Sequence, residues 1–348
     1  EWIGGAAHDA RVAAVFAQLT VDGEPHGVHA VLVPIRDAAG APLPGVRTGD
    51  SGRKLGLVGV DNGRLWFERV RVPVANLLDR FAWIDDAGAY HSPIESPARR
   101  FFTMLGTLVG GRISVGSAGV SAARTGLAIA LRYATTRRQF GAAGERTERV
   151  LLDYPTHRRR LLPHLATSVV LRTAFAALRT RHAAAVAVPD GARAAPADPE
   201  TPAEDTRQLE AEVAALKILG SRHGVDALQA CREACGGQGY LLVNRIADLR
   251  ADVEIFTTFE GDNVVLAQLV GKALLTGYRS QFAAGGALAV VRALARRAAT
   301  AVREKNPGQT RRTDPEHLRD RGMHRAALRY REQHVVETLA LRLRKRLA

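Results

Sequence analysis

The stretch FTMLGTLVGGRISVGSAGVSAARTGLAIALRYATT, residues 102–136, decides the fold of this 348-residue chain. It contains no proline, and apolar residues such as Ile113, Val120 and Leu127 recur at helical spacing. This period is that of a long amphipathic α-helix. Small residues crowd its middle, GGRISVGSAG (110–119), and indicate a face that another backbone or a ligand approaches closely.

Helical patterns continue toward the C-terminus. They predict helices over 148–185, 206–234 and 258–279, with further Arg- and Leu-rich helical segments after residue 285. A stretch rich in Pro, Ala and acidic residues, 188–205, predicts a mobile loop between two of these helices. The four long helices are expected to form an up-and-down bundle.

The first 80 or so residues have strand patterns instead. Two apolar runs, 12–21 and 27–35, flank the turn sequence DGEP (22–25) and predict a hairpin. Residues 64–72 alternate as a half-buried strand does, until Pro73 stops the pattern.

Strand-rich and helix-rich blocks follow one another rather than alternating, which predicts an α+β fold that is mostly α. We expect three parts, with these boundaries: a partial β-barrel or sandwich domain at 1–85, the four-helix domain at 100–280, and part of a second helical domain at 281–348.

Composition limits the function classes. Hydrophobic residues make up 46% and charged residues 24%, as in globular proteins. We expect no membrane span, because no apolar run approaches the roughly 20 residues needed to cross a bilayer. The net charge is +14, but the arginines are scattered and aromatic residues are only 5%, which favours solvated helix faces over a nucleic-acid interface. Attraction of a phosphorylated small molecule stays open.

Metal and disulfide chemistry is not indicated by the sequence. The two cysteines, Cys231 and Cys235, are four residues apart on one predicted helix and are expected to be buried small residues. The histidines show no metal-ligand spacing, so we expect no metal site.

Three motifs carry candidate chemistry, each with an ordinary structural alternative. Glu260, in TTFEGDN (257–263), is either an acid at a helix N-terminus or a general base in apolar surroundings. The segment RRQFG (137–141) is either a cationic helix C-terminus or a phosphate clamp. The segment GGQG (236–239) is a helix C-cap turn or a ligand loop, and it lacks the dinucleotide fingerprint.

Together these pieces resemble the acyl-CoA oxidase branch of the acyl-CoA dehydrogenase superfamily, over nearly the whole chain. The resemblance is carried, in order, by WIGG (2–5), HAVLVPIR (29–36), LPGV (43–46), GVDNGRL (59–65), RYATTRRQF (132–140), ACGGQGY (234–240) and TFEGDN (258–263). The family has an N-terminal helical domain before its β-domain. The chain begins at Glu1 rather than Met, so it is expected to be a fragment that lacks that domain.

The resemblance implies an FAD-dependent acyl-CoA oxidase of fatty acid β-oxidation. Such enzymes form trans-2-enoyl-CoA and pass the electrons to O2, giving H2O2. Glu260 matches the base that takes the α-proton, and its backbone N–H is expected to bind the thioester carbonyl together with the flavin ribityl hydroxyl. Arg112 and Gly261 match substrate-binding positions. Some relatives carry the base just before this arginine, where this chain has Gly111 without a carboxylate.

The implied FAD contacts span both parts of the chain. They fall on Trp2 and Gly4 in the β-domain, Arg137, Gln139 and Phe140 in a segment that reaches a partner subunit's flavin, and Gly236 and Gly237 in the pyrophosphate loop. A homodimer is therefore expected.

Alternative functions stay open at this point. A dehydrogenase would pass the electrons to an electron-transfer flavoprotein, but Glu233 and Phe259 depart from the usual dehydrogenase residues and favour the oxidase. A non-catalytic truncated paralogue or a basic nucleic-acid binder is a second class. The Ala- and Arg-rich composition suggests a bacterial cytoplasmic protein, and a eukaryotic one would be expected in peroxisomes.

Overall fold

The structure, a computed structural model, describes residues 3–105, 108–141, 144, 146–186, 204–283 and 312–347. It contains two compact units, Glu1–Leu266 and Ala267–Ala348. Trp2 and most of the expected loop at 188–205 lie outside the described residues.

The expected hairpin is present. Strand β2 (Val12–Val21) pairs antiparallel with β3 (Glu24–Pro34), and Val21 lies opposite Glu24. The turn is therefore only Asp22 and Gly23, which have φ of 49° and 86°, as a two-residue hairpin turn requires. Strand β3 thus begins earlier than the sequence predicted, because the register shift next to Thr20 accommodates Pro25 in the strand.

A second sheet has the order β1 (Ile3–Gly4), β5 (Asn62–Phe67) and β4 (Val46–Asp50). Strand β5 ends before the predicted limit of residue 72, since Arg69 adopts a left-handed φ of 51°. A short pair, β6 (Trp83–Ile84) with β7 (Tyr90–His91), completes the sheets of the described residues, among which no closed barrel forms. The α+β, mostly α fold class is confirmed.

The described residues contain eight α-helices: α1 (Pro97–Leu105), α2 (Val109–Thr136), α3 (Pro155–Val186), α4 (Glu204–Ala234), α5 (Ile246–Glu254), α6 (Asn263–Ala283), α7 (Pro315–Arg319) and α8 (Arg321–Leu347). Several boundaries and one element differ from the prediction, among them the late start of α6 at Asn263. The predicted helix 102–136 corresponds to the end of α1 and all of α2. Helix α3 begins later than predicted, because Pro155 suits a first helical turn. Helix α5 was not predicted.

Glycines bring α2 and α4 unusually close together. A Cβ atom on Gly116 would lie 3.0 Å from the Cα of Lys217, and one on Gly119 would lie 2.7 Å from the carbonyl oxygen of Gly220. Neither position could hold a larger residue without moving a helix. The small residues of 110–119 therefore do mark a close backbone approach.

Helix α3 meets the length and composition test for a membrane-spanning helix over Pro155–Ala185, where an 18-residue window has a mean hydropathy of 1.4. No such segment was expected from the sequence. In the structure α3 contacts both α2 and α4, and its Leu171, Phe175 and Leu178 are buried in one core cluster with residues of those helices. These contacts are typical of a bundle helix.

Candidate active site

Glu260 lies in a short loop, residues 258–262, between a 3-10 turn (Ile255–Thr257) and α6. The side chain is half-buried. Glu260 and Gly261 have φ of 55° and 100°, and two successive left-handed residues cannot belong to a right-handed helix. For this reason α6 begins at Asn263 and not at 258, and Glu260 lies three positions before the first residue of the helix.

The Glu260 carboxylate rests against the backbone of Gly111, near the start of α2. A Cβ atom on Gly111 would lie 2.5 Å from Oε2 and 2.8 Å from Cδ of Glu260. The two positions at which the resemblance places a base are therefore in contact. Glu260 occupies the space that a side chain at residue 111 would take.

Arg112 holds the loop on its other side. Its Nε donates a hydrogen bond to the Glu260 carbonyl oxygen at 3.3 Å. Within the described part of the chain, no group accepts a hydrogen bond from the Glu260 amide N–H. That donor is available to a carbonyl of a bound molecule.

Lys217 of α4 is a site residue that the sequence analysis missed. It is 0% exposed, and its Nζ donates to the Gly261 carbonyl at 2.6 Å and to Asn263 Oδ1 at 3.0 Å. Burial lowers the pKa of Lys217 to about 8. The charge of Arg112 lowers this pKa further, whereas the charges of Asp262 and Glu260 raise it. A signal existed, because the helical spacing of α4 places this lysine on the buried stripe of Val213 and Gly220.

The β-sheet part docks directly beside this loop. The Leu57 N–H donates to Asp252 Oδ1 of α5 at 2.6 Å, and Gly56 packs so closely on Ala251 that a Cβ atom would overlap its backbone. Lys54 Nζ braces the docking loop by donating to the Leu57 carbonyl at 2.7 Å. Helix α5 leads into the Glu260 loop. The contact of residues 56 and 57 with α5 therefore positions both the helix and the loop.

Gly4, one of the predicted flavin contacts, lies in the exposed strand β1 opposite Asn62. Nothing lies within 4 Å of the place a Cβ would take. The backbone after β1 is held by the buried Arg36, which donates to the carbonyls of Ala6 and Ala7 at 2.8 and 2.6 Å. Strand β1 thus presents a fixed, open backbone edge.

The remaining predicted flavin residues gather at the opposite end of α2. A cavity of about 220 Å³ is lined by Ile129, Tyr133, Arg137, Cys235, Gln238 and Asn244. Gly236 lies two residues after the end of α4 and has a φ of 55°, as a C-cap glycine does, and a Cβ atom on Gly236 or Gly237 would have nothing within 4 Å. The C-cap interpretation and the ligand-loop interpretation of GGQG are therefore compatible.

Arg137, Gln139 and Phe140 are exposed beside this cavity. Gln139 is anchored by its backbone, whose carbonyl accepts a hydrogen bond from the Tyr154 hydroxyl at 2.7 Å. Phe140 has a left-handed φ of 56° and is 70% exposed. Within the described residues, no group accepts a hydrogen bond from the Arg137 guanidinium. An exposed guanidinium on the same cavity as Cys235 and Gln238, which flank the two glycines, fits an anionic pyrophosphate.

The two groups of residues are far apart in one chain. Arg112 of α2 and Arg137, the residue directly after this helix, lie 25 positions apart, which corresponds to roughly 38 Å at 1.5 Å per residue. The Glu260 end and the Arg137 end are therefore two separate places on the same helix.

Other clusters add little chemistry. Cys231 and Cys235 are free and buried, as predicted, and burial raises the pKa of Cys231 to about 12. The side chains of His8, Asp50 and Asp61 approach within 4.8 Å of one another, but Asp61 already accepts hydrogen bonds from backbone N–H groups, including that of His8 at 2.9 Å.

Known proteins of one family are similar to this chain in sequence. The family model of the acyl-CoA oxidase C-alpha1 domain matches residues 105–275. The peroxisomal acyl-coenzyme A oxidase 2 of Arabidopsis thaliana is 38% identical over 99% of this chain and 49% of its own length. Acyl-coenzyme A oxidase 3, also peroxisomal and from Arabidopsis thaliana, is 40% identical over 80% of this chain and 39% of its own. The chain thus spans half or less of the length of these relatives.

Solved structures show the same fold. The crystal structure of acyl-CoA oxidase 3 from Yarrowia lipolytica has a TM-score of 0.68 and 34% identity, covering 80% of this chain and 40% of that one. Acyl-CoA oxidase-1 of Caenorhabditis elegans, complexed with FAD and ATP, has a TM-score of 0.68 and 26% identity, covering 83% and 41%. By sequence and by fold, the chain belongs to the acyl-CoA oxidase family.

Proposed function

We propose that this chain supplies the catalytic base and part of the flavin site of an FAD-dependent acyl-CoA oxidase. The observation that supports this most is the position of Glu260, whose half-buried carboxylate lies on Gly111 while its backbone N–H is free among the described residues. A base and a hydrogen-bond donor come from one residue. Removing a proton next to a thioester carbonyl needs both.

Each of these groups has one task in the proposed reaction. The Glu260 N–H donates to the thioester carbonyl oxygen and stabilises the negative charge that develops there as the α-proton leaves. The carboxylate takes that proton. The backbone of Gly111 and the Nε of Arg112 keep the loop in place, so the carboxylate is oriented before the substrate binds.

FAD fits the Arg137 end of the chain. We assign the pyrophosphate to Arg137 and the open backbone at Gly236 and Gly237, with Gln139 and Phe140 beside them, and a further contact to Gly4. FAD held there would supply the acceptor for the β-hydrogen, which leaves as hydride, and the route of its electrons to O2, so that acyl-CoA and O2 would give trans-2-enoyl-CoA and H2O2.

The distance between the two ends of α2 supports a homodimer. One extended dinucleotide does not bridge roughly 38 Å, about the span of a small domain. In the proposed dimer, the flavin that faces Glu260 is contacted by the Arg137 of a second copy. The Arg137 end also exposes apolar side chains suited to an interface: Phe140 at 70%, Tyr240 at 82%, Leu242 at 65% and Val243 at 80%.

Replacing Glu260 tests the assignment. In the full-length protein carrying this sequence, Glu260→Gln keeps the shape and removes the base, so turnover of acyl-CoA is expected to fall about 10²- to 10⁴-fold. FAD content, read from the flavin absorbance, should stay unchanged. Glu254→Gln, an exposed acid on α5, is the matched control and should leave turnover unchanged. Normal turnover by Glu260→Gln would remove Glu260 from the reaction.

The electron acceptor is decided in the same assay. H2O2 released with acyl-CoA and air alone supports the oxidase. Turnover only with an added electron-transfer flavoprotein would make the protein a dehydrogenase, and failure to bind FAD would make it a non-catalytic relative. For location, the names of the plant relatives favour the peroxisome, and none of the relatives reported above supports the bacterial cytoplasm.

A further inference from the structure

We propose that Lys217 is a positioning residue for Glu260: from beneath the loop of residues 258–262 it fixes the backbone that aims the carboxylate. The proposal rests on the proposed function only in calling Glu260 the base. The contact itself, between helix α4 and the loop, is independent of any activity.

Lys217 occupies a position where an apolar residue is expected. It is fully buried on the stripe of α4 that packs against the glycines of α2, and its Cα lies next to Gly116. In the described structure no carboxylate lies within ion-pair distance of Nζ, whose partners are a carbonyl and an amide oxygen. Burying an ammonium group costs free energy, and hydrogen bonds to buried oxygens offset part of that cost. A buried lysine of this kind is therefore expected to have a role in the fold or in the site.

Both partners of Lys217 belong to the segment that carries Glu260. Nζ donates to the carbonyl of Gly261, directly after Glu260, and to the side chain of Asn263, the first residue of α6. Asn263 is held in turn, because its Nδ2 donates to the Ser221 hydroxyl at 3.1 Å. One lysine therefore joins the loop to the start of the next helix.

The loop needs such restraint because its backbone is strained. A glutamate at φ 55° is disfavoured and persists only where the surroundings fix it. Arg112 binds the carbonyl of Glu260 and Lys217 binds that of Gly261, so the two peptide groups after the base are both anchored. With the backbone fixed at these two points, the carboxylate is directed onto Gly111.

The charges around Lys217 agree with this role. Glu260 and Asp262 of the loop oppose the loss of its proton, Arg112 of α2 favours it, and Phe175 of α3 is an apolar neighbour of the same α2–α4 contact. With a pKa of about 8, Lys217 is mostly protonated at neutral pH and can donate to both oxygens.

The test uses Lys217→Met in the full-length protein with bound FAD, with Cys231→Ala as control. Both residues are buried on α4, and Cys231 lies 14 positions further along, away from the loop. The first readout, taken without substrate, is amide hydrogen exchange of Thr258 and Phe259, whose N–H groups in this loop donate to the Ile255 carbonyl. We expect exchange to become about ten- to hundredfold faster in Lys217→Met, because this factor corresponds to the loss of hydrogen bonds from a charged donor. Exchange should stay unchanged in Cys231→Ala.

The second readout is kinetic. A misaimed base lowers kcat, so we expect a fall of about ten- to hundredfold with KM and FAD content nearly unchanged. If Lys217→Met does not fold, Asn263→Ala removes one partner of the lysine and should show a smaller change of the same kind. Loop exchange and kcat equal to those of the control would overturn the proposal, whichever variant is used. If Glu260→Gln leaves turnover unchanged, the proposed function fails, while the exchange result still decides whether Lys217 fixes the loop.

Discussion

The candidate functional residues are buried to different degrees at the two ends of helix α2. At the N-terminal end Glu260, Arg112 and Lys217 are all at least half-buried, and each touches a described group. At the C-terminal end Arg137 and Gly236 are exposed around an open cavity. The chemical groups of the proposed reaction are thus fixed by the chain itself, whereas the proposed cofactor end presents open surface.

This difference has a physical reason. A base must be aimed to a fraction of an ångström before substrate arrives, so its loop is anchored to two neighbouring helices. A pyrophosphate site instead needs uncovered N–H groups and a free guanidinium, which the chain alone leaves to solvent. Substitutions should therefore have different effects at the two ends of α2.

The largest effect outside Glu260 itself is expected at Gly111. An alanine Cβ would lie 2.5 Å from Oε2 of Glu260, and the flexible end of that side chain must move aside. The helix gains about 1 kcal/mol from replacing glycine, so the variant should fold well. We expect Gly111→Ala to lose roughly 10²-fold in kcat, because a displacement near 1 Å costs about that factor.

Gly110→Ala is the matched control for this variant. It makes the same change one position earlier on α2, where the nearest atom, Cε1 of His182, is 3.7 Å away at ordinary contact distance. Thermal unfolding should shift alike in both variants, and only Gly111→Ala should lose turnover. Equal kcat values for the two would contradict the seating of the carboxylate on Gly111.

A smaller effect is expected from pH, which should change the stability of the packed helices. Ser168 and His223 form a buried hydrogen bond of 2.8 Å between α3 and α4. Burial lowers the pKa of His223 from 6.5 to about 4, and the nearby His164 acts in the same direction. Because the folded-state pKa is the lower one, this stabilisation is present above pH 6.5 and is lost as the pH falls toward 4.

The loss should amount to at most about 3 kcal/mol of unfolding free energy. Denaturant unfolding between pH 7 and 4 measures it, and His223→Gln, which does not titrate, should lose that much less over the same interval. Equal pH slopes for the two proteins would show that His223 does not ionise on unfolding.

Much of the fold could be predicted from sequence because it depends on local periodicity. The β2–β3 hairpin and helices α2, α3 and α4 were all predicted, with errors at the ends. Local patterns miss long-range effects: α6 starts late because residues 260 and 261 are held left-handed by side chains from α2 and α4. The nine-residue α5 has little periodicity of its own and is fixed by its contacts with α4.

The candidate site was predicted residue by residue from the resemblance, not from physical reasoning alone. That route found Glu260 and Gly111 but could not show that they touch, since they are far apart in sequence. It also passed over Lys217, because no motif contains it. The signal for Lys217 lies in a pattern, a charged residue on an apolar helical stripe, that gains meaning only when its partners are known.

The most direct test of the two-ended account mixes two inactive variants, Glu260→Gln and Arg137→Gln, in the full-length protein. If one copy supplies Glu260 and the other supplies Arg137 to each flavin, a hybrid dimer contains one intact site. Hybrid dimers, isolated after co-expression with two different tags, should then recover about half of wild-type turnover, as one working site in two requires. Hybrids that bind together yet stay as inactive as the parents would contradict the account.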